Sequence, residues 1–106
     1  MSVSTHVLDA VTGRPAAGVG VRLERRTGQG WDEMTARSTD DDGRVADLAA
    51  VADAGVYRLH FDVEGYLGAD AFYPEVAVTF RISDADAHHH VPLVLSPFAY
   101  STYRGS

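Results

Sequence analysis

The feature that most constrains this chain is a series of short segments in which apolar and polar residues alternate, separated by turns rich in glycine, proline and aspartate. The clearest segment covers residues 56–63, where every second residue is apolar and is expected to face inward: Tyr57, Leu59, Phe61 and Val63. A repeat of two residues means that successive side chains point to opposite faces of a strand. The pattern therefore predicts half-buried β-strands rather than amphipathic helices.

The remaining strands follow the same pattern and are predicted at residues 4–9, 19–24, 31–39 and 76–82, with a C-terminal pair after residue 88. Residues 64–71 are compatible with one short helix, and residues 46–54, rich in alanine and aspartate, are predicted to be a loop. About eight short strands with at most one helix describe an all-β, two-sheet β-sandwich. We expect residues 1–106 to form a single domain.

The composition excludes several functional classes. The formal net charge of −6 argues against binding to nucleic acid or to an anionic membrane surface. The chain contains no cysteine and its cations are all arginine, so disulfides, thiolate sites and Schiff-base lysine chemistry are excluded. No apolar run approaches the roughly 18 residues of a membrane helix, and the N-terminus has no signal-like pattern. A cytoplasmic bacterial protein is the expectation.

Three consecutive histidines stand at the start of the C-terminal strand pair. Strand alternation predicts that His89 faces inward, whereas His88 and His90 lie on the outer face. The same outer face carries Pro92 and Val94, which are unusually apolar for a solvated surface. We therefore expect another subunit to cover this face.

His6 lies on the outward face of the first strand. If this strand neighbours the C-terminal pair, His6 and His90 meet on one covered face, and two imidazoles beside an arginine suit general acid–base chemistry near neutral pH. Two alternatives remain open from the residues alone. The histidines are scattered surface groups, or His6, His88 and His90 form a three-histidine zinc site for metal-assisted hydrolysis.

Seven short segments, in order and at matching spacing, carry a family resemblance over nearly the whole chain: STHVLD (4–9), TGRPA (12–16), DGR (42–44), FYPEV (72–76), HVPL (90–93), LSPFAYST (95–102) and YRGS (103–106). Together they resemble the transthyretin family, and specifically its enzymatic branch, the 5-hydroxyisourate hydrolases. The closing tetrapeptide is the motif that separates these hydrolases from the hormone-carrying transthyretins.

The resemblance implies a transthyretin-like sandwich of about eight strands with one short helix. It also implies a homotetramer, built as a dimer of dimers, with active sites in the clefts where the dimers meet. The implied reaction is the hydrolysis of 5-hydroxyisourate to 2-oxo-4-hydroxy-4-carboxy-5-ureidoimidazoline in urate degradation. No metal or cofactor is expected, and neither nucleic acid nor membrane is an expected partner.

Transferred residue by residue, the resemblance assigns catalytic roles to His6, Arg44 and His90. It assigns substrate binding to five residues: His6, Arg44, Tyr103, Arg104 and Ser106. In this interpretation His6 activates the attacking water, Arg44 binds the heterocycle and stabilises negative charge on oxygen, and His90 binds substrate or relays protons. The terminal residues close the pocket, and Arg104 can pair with the terminal carboxylate.

Two competing functions remain at this level. One is a non-catalytic carrier of small aromatic ligands on the same fold. The other is an adhesion-type β-sandwich, which predicts a monomer that tolerates loss of its last four residues.

Overall fold

The computed structural model describes residues 2–50 and 53–106, which form nine strands and one helix. The strands are β1 (Ser2–Asp9), β2 (Arg14–Pro15), β3 (Gly20–Thr27), β4 (Gly30–Ser38), β5 (Arg44–Ala50), β6 (Gly55–Asp62), β7 (Glu75–Ile82), β8 (His89–Leu95) and β9 (Tyr100–Thr102). The helix is α1 (Val63–Leu67). None of the helical structure in these ranges is long and apolar enough to span a membrane.

The strands form two sheets. One has the order β2-β1-β8-β9, with β5 also paired to β1, and the other has the order β4-β3-β6-β7. The β1–β8 pair is parallel, and it extends from Val3 opposite His89 to Asp9 opposite Leu95. Since β8 occupies one edge of β1, strands β2 and β5 share its other edge. β1 therefore stands at the centre of its sheet.

Alternating residues of both sheets fill the core between them. Val7 and Leu93 from one sheet and Leu23, Leu59 and Phe61 from the other are fully buried. The four residues predicted to face inward in segment 56–63 are all buried, as the alternation requires. The predicted two-sheet β-sandwich with one short helix is confirmed.

The prediction of a loop at residues 46–54 is wrong over most of its length, since β5 continues to Ala50; residues 51 and 52 lie outside the described ranges. β5 contains an irregularity opposite β1, where Val3 pairs with Ala49 but Thr5 pairs with Val45. Its buried residues, Val45 and Leu48, are consequently three positions apart. A bulge of this kind breaks the period of two and hides a strand from pattern reading.

The helix is shorter and earlier than the predicted 64–71. Asp62 ends β6 and caps α1, because its side chain accepts a hydrogen bond from the Gly65 N–H at 3.0 Å. Gly68 follows the last turn with φ of 89°, a conformation that glycine adopts readily. Arg14 and Pro15 form the two-residue strand β2 beside Leu8 and Asp9.

Candidate active site

The central strand β1 brings the three predicted catalytic residues together. His6 lies directly opposite Arg44 of β5, and Ser4 lies opposite His90 of β8. Side chains two positions apart on a strand share a face, and directly opposed residues have Cβ atoms about 5 Å apart. His6, Arg44 and His90 therefore lie on one face of the sheet, although His6 and His90 stand near opposite ends of the sequence.

A shallow, open depression of about 350 Å³ lies on this face. Its lining residues include Ser4, Arg44, His90 and the C-terminal residue Ser106. His6 is half-buried and stands beside the depression, across the β1–β5 pair from Arg44, rather than among the lining residues. The depression combines an arginine, an imidazole and the chain terminus, and a second imidazole stands at its margin.

A tight acidic turn positions Arg44. The Asp40 carboxylate accepts hydrogen bonds from the Asp42 and Arg44 N–H groups, both at 2.9 Å. Gly43, with φ of 73°, donates to the Asp40 carbonyl, and its own carbonyl accepts from the Val7 N–H at 2.7 Å. The turn is thus bonded directly to β1 one residue beyond His6, which fixes where β5 begins. Gly43 supplies the positive φ that this turn needs.

The chain terminus packs against His90. The Gly105 N–H donates to the His90 carbonyl at 2.8 Å, which extends the edge of β8 beyond β9. A Cβ atom at position 105 would lie 2.5 Å from Cδ2 of the His90 ring. Glycine is favoured at this position because a side chain there would displace the imidazole or the terminal segment.

A chain of hydrogen bonds runs from His90 towards solvent. Ser4 Oγ lies 2.7 Å from His90 Nδ1 and 2.8 Å from His88 Nε2, and Ser2 Oγ lies 2.8 Å from His88 Nδ1. Ser4 is buried, whereas His88 is exposed. His88, predicted on the outer face of the last strand pair, precedes β8, and these bonds hold it beside His90.

The surroundings of His90 favour its neutral form. Burial in the depression lowers the pKa of His90 below its ordinary value of 6.5, and the positive charge of Arg44, followed by His88 and His6, lowers it further. A neutral imidazole at physiological pH can accept a proton, which a general base or a proton relay requires.

The terminal tetrapeptide is divided between two cavities. Ser106 lines the depression, whereas Tyr103 and Arg104 line a separate cavity of about 240 Å³ that lies along β7 and the inward face of β8. No ion pair within residues 2–50 and 53–106 involves Arg104 or the terminal carboxylate, so the predicted pairing between them is not formed in the single chain. His89 faces inward as predicted and is 6% exposed, with Nδ1 3.0 Å from the Ala87 carbonyl.

Sequence analysis missed three residues that position this site: Ser4, Asp40 and Gly105. The alternation of β1 places Ser4 on the same face as His6, which was the available signal. For Gly105, the available signal was that the terminal motif contains a glycine. Nothing local pointed to the contact between Gly105 and His90, because it joins residues on different segments.

A groove of about 710 Å³ lies elsewhere, across the outer face of the second sheet. Two of its lining residues interact, with His60 Nε2 3.0 Å from the Glu75 carboxylate, and its Arg22 lies 3.6 Å from Glu33 outside the groove. Within the described ranges, no three His, Asp or Glu side chains form a group that could hold a metal ion. The three-histidine zinc alternative therefore has no support in this geometry.

The chain is thus a two-sheet β-sandwich with a depression lined by histidine and arginine on the outer face of the β1–β8 pair. The HIUase/Transthyretin family model matches residues 3–105. The chain therefore belongs to the HIUase/Transthyretin family.

Particular relatives sharpen this assignment. The chain is 45% identical over 109 residues to the 5-hydroxyisourate hydrolase of Salmonella dublin, covering 98% of this chain and 80% of the relative. The solved structure of Klebsiella pneumoniae 5-hydroxyisourate hydrolase superposes with a TM-score of 0.87 at 34% identity and covers 100% of both chains. Sea bream transthyretin in complex with thyroxine superposes with a TM-score of 0.91 at 31% identity, covering 99% of this chain and 95% of that one.

Proposed function

We propose that this chain hydrolyses 5-hydroxyisourate to 2-oxo-4-hydroxy-4-carboxy-5-ureidoimidazoline as a step of urate degradation. The observation that carries the proposal is the meeting of His6, Arg44 and His90 around one depression. The similarity to proteins named 5-hydroxyisourate hydrolase, at 45% identity over nearly the whole chain, supports the choice of substrate.

In the proposed mechanism, His6 acts as the base that activates water, and the water oxygen attacks a ring carbonyl of the substrate. The carbonyl carbon forms a bond to the water oxygen, the ring C–N bond breaks, and the nitrogen takes up a proton. Arg44 binds the flat heterocycle and stabilises the negative charge that develops on the carbonyl oxygen. His90, neutral at physiological pH because its pKa is lowered, orients substrate and exchanges protons.

Ser106, Tyr103 and Arg104 are proposed to bind substrate by closing the site. Ser106 already lines the depression in the single chain, whereas Tyr103 and Arg104 line the neighbouring cavity, which shares His90 with it. The shared imidazole supports a continuous binding surface that bends around His90.

The decisive experiment adds the protein to urate and urate oxidase and follows the ultraviolet absorbance of the intermediate. We expect faster decay than in the uncatalysed control. The His6→Asn and His90→Asn variants should each lose roughly 100- to 10,000-fold in kcat/KM, the usual contribution of a general acid or base, while keeping the wild-type circular dichroism. Near-normal turnover by both variants would show that the roles are wrongly assigned.

A non-catalytic carrier is the second candidate, and the close superposition on sea bream transthyretin in complex with thyroxine favours it. A carrier binds small aromatic ligands at equilibrium but leaves the decay rate of 5-hydroxyisourate unchanged. The same absorbance assay therefore separates the two functions. We also propose that the reaction needs no metal, so activity should be complete after exhaustive chelation.

We further propose a homotetramer built as a dimer of dimers. Large apolar side chains are exposed in the single chain, with Phe98 74%, Val11 68% and Phe72 65% accessible, and Leu8 and Val94 are only half-buried on the outer face of their sheet. Apolar groups of this size at a surface support subunit contacts. Light scattering after gel filtration should give four times the chain mass; a monomer would contradict the proposal. A cytoplasmic location is proposed because the cysteine-free chain requires no oxidising compartment.

A further inference from the structure

We infer that Ser4 and His88 form a proton relay between His90 and solvent. The inference rests on the proposed function, because it concerns the fate of protons in that reaction. It starts from the hydrogen-bonded chain His90–Ser4–His88–Ser2, whose three links measure 2.7, 2.8 and 2.8 Å.

The reaction produces an excess proton. Water addition to the ring carbonyl followed by cleavage of the C–N bond leaves a carboxylic acid, and such acids have pKa values near 4, so the product is ionised at neutral pH. One proton must therefore leave the site in each turnover. The groups that face His90 are His6 from β1, Arg44 from β5 and His88 preceding β8. Among these groups, only His88 is joined to His90 by a chain of hydrogen bonds within the described residues.

The bridge through Ser4 allows this transfer without any net change in the hydroxyl. Ser4 has a single hydroxyl proton and lies between two ring nitrogens, so it donates to one nitrogen and accepts from the other. When His90 takes up the excess proton of the product carboxylic acid at Nε2, its Nδ1 proton moves to Ser4 Oγ while the Ser4 proton moves to His88 Nε2. His90 becomes neutral, Ser4 remains a hydroxyl, and His88 carries the positive charge.

The gradient of exposure gives the relay its direction. Ser4 is 6% exposed, and His90 is half-buried in the depression. In the single chain His88 is exposed and bonds through Nδ1 to Ser2, so water or a buffer base that enters the open depression can remove its proton. The lowered pKa of His90, caused first by burial and then by the Arg44 charge, favours release of the proton outwards. Ser4 and His88 are positioning residues, since they act through His90.

The test compares His88→Gln and Ser4→Ala with wild type in the absorbance assay, at low buffer concentration and then with increasing imidazole. Glutamine retains hydrogen-bonding capacity but cannot carry a proton, and alanine removes the bridge. We expect kcat at low buffer to fall at least about tenfold in both variants, and imidazole to restore the turnover of His88→Gln. The matched control is His60→Gln on the second sheet, which should behave as wild type with and without imidazole.

A relay and a purely steric role for His88 predict different results. Wild-type turnover by His88→Gln at low buffer overturns the relay, and a loss that imidazole does not restore also overturns it, because that loss reflects ring placement alone. If the wild-type protein itself fails to accelerate decay, the proposed function is overturned and the relay with it. Circular dichroism of each variant identifies a folding defect, and His88→Gln, at an exposed position, keeps the test valid if Ser4→Ala is unstable.

Discussion

His90 is the residue on which most contacts of the site converge. Its ring lies against Gly105, its Nδ1 bonds Ser4, and its backbone carbonyl accepts from the terminal segment. A side chain held on two sides, on a backbone that is itself hydrogen-bonded, loses little freedom on substrate binding, and such support keeps a catalytic group in its productive geometry.

The contact between Gly105 and the His90 ring predicts how a methyl group added at position 105 affects activity. Gly105→Ala places Cβ within 2.5 Å of the His90 ring, so the ring or the terminal segment must move. We expect kcat/KM to fall by up to about 100-fold, the cost of misplacing a catalytic group by about 1 Å, with little loss of thermal stability. Gly28→Ala is the control, because nothing lies within 4 Å of that Cβ position. Equal activities would show that the ring is not held by this contact.

The charge of Arg44 predicts how His90 titrates. In wild type, NMR titration of the His90 ring should give a pKa below 6.5, because burial and then Arg44 disfavour the charged form. In Arg44→Gln the pKa of His90 should rise, whereas in Arg37→Gln on the second sheet it should not change. A His90 pKa that is the same in Arg44→Gln as in wild type would contradict the placement of the two residues.

The same shift has a consequence for stability. Because the pKa of His90 is lower in the folded chain than the unfolded value near 6.5, the unfolded chain takes up this proton first as the pH falls. The contribution of His90 to the free energy of unfolding is therefore complete above pH 6.5 and is lost as the pH falls from 6.5 through the folded pKa. Denaturant unfolding of wild type and His90→Asn across this range measures the difference.

Among the elements, the acidic turn before β5 determines where Arg44 stands. Its hydrogen bonds reach Val7 of β1, so the turn and the strand that carries His6 form one unit. Gly43 is tightly enclosed: a Cβ there would collide with the Val7 carbonyl oxygen and approach Pro15 at 3.0 Å. The turn is a structural part of the site as well as a connection between strands.

Two glycines with the same backbone conformation allow this role to be measured. Gly43 has φ of 73° and Gly13 has φ of 72°, but only Gly43 is surrounded by atoms. Gly13→Ala should cost about 1–2 kcal/mol from backbone strain alone, whereas Gly43→Ala should cost an additional ~1–3 kcal/mol from overpacking and should also reduce kcat/KM. Chemical denaturation of both variants measures the two costs. Equal losses in the free energy of unfolding would mean that the turn is not tightly packed against β1.

For the whole molecule, the terminal tetrapeptide (residues 103–106) is expected to be needed for turnover but not for folding. Tyr103 is 59% exposed and none of the four residues belongs to the core, so the sandwich does not depend on them. We expect a chain ending at Thr102 to keep its circular dichroism spectrum but to lose turnover. Ser106→Ala, which retains the terminal carboxylate, distinguishes the hydroxyl from the rest of the segment. Unchanged turnover by the truncated chain would show that the tetrapeptide is not part of the active site.

Most of the fold could be predicted because the alternation within β1, β3, β6 and β7 is regular. Where the alternation is interrupted, prediction was wrong: the loop predicted in place of β5 follows from the bulge that spaces Val45 and Leu48 three residues apart. Strand phase also placed two of the three histidines correctly, with His89 buried and His90 on the outer face, whereas His88 precedes β8. The helix was misplaced because its start depends on the Asp62 cap rather than on apolar periodicity.

The sequence by itself determined the sandwich, the inward and outward faces of the regular strands and, through the family resemblance, the candidate residues His6, Arg44 and His90. Only the tertiary structure decided that Ser4 bridges two imidazoles, that Gly105 packs on His90, and that Ser106 is separated from Tyr103 and Arg104. The physical reason is the separation along the chain between the residues that each feature involves. Periodicity reports which way one strand faces, whereas the register between β1 and β8 depends on packing between segments more than 80 residues apart in the chain.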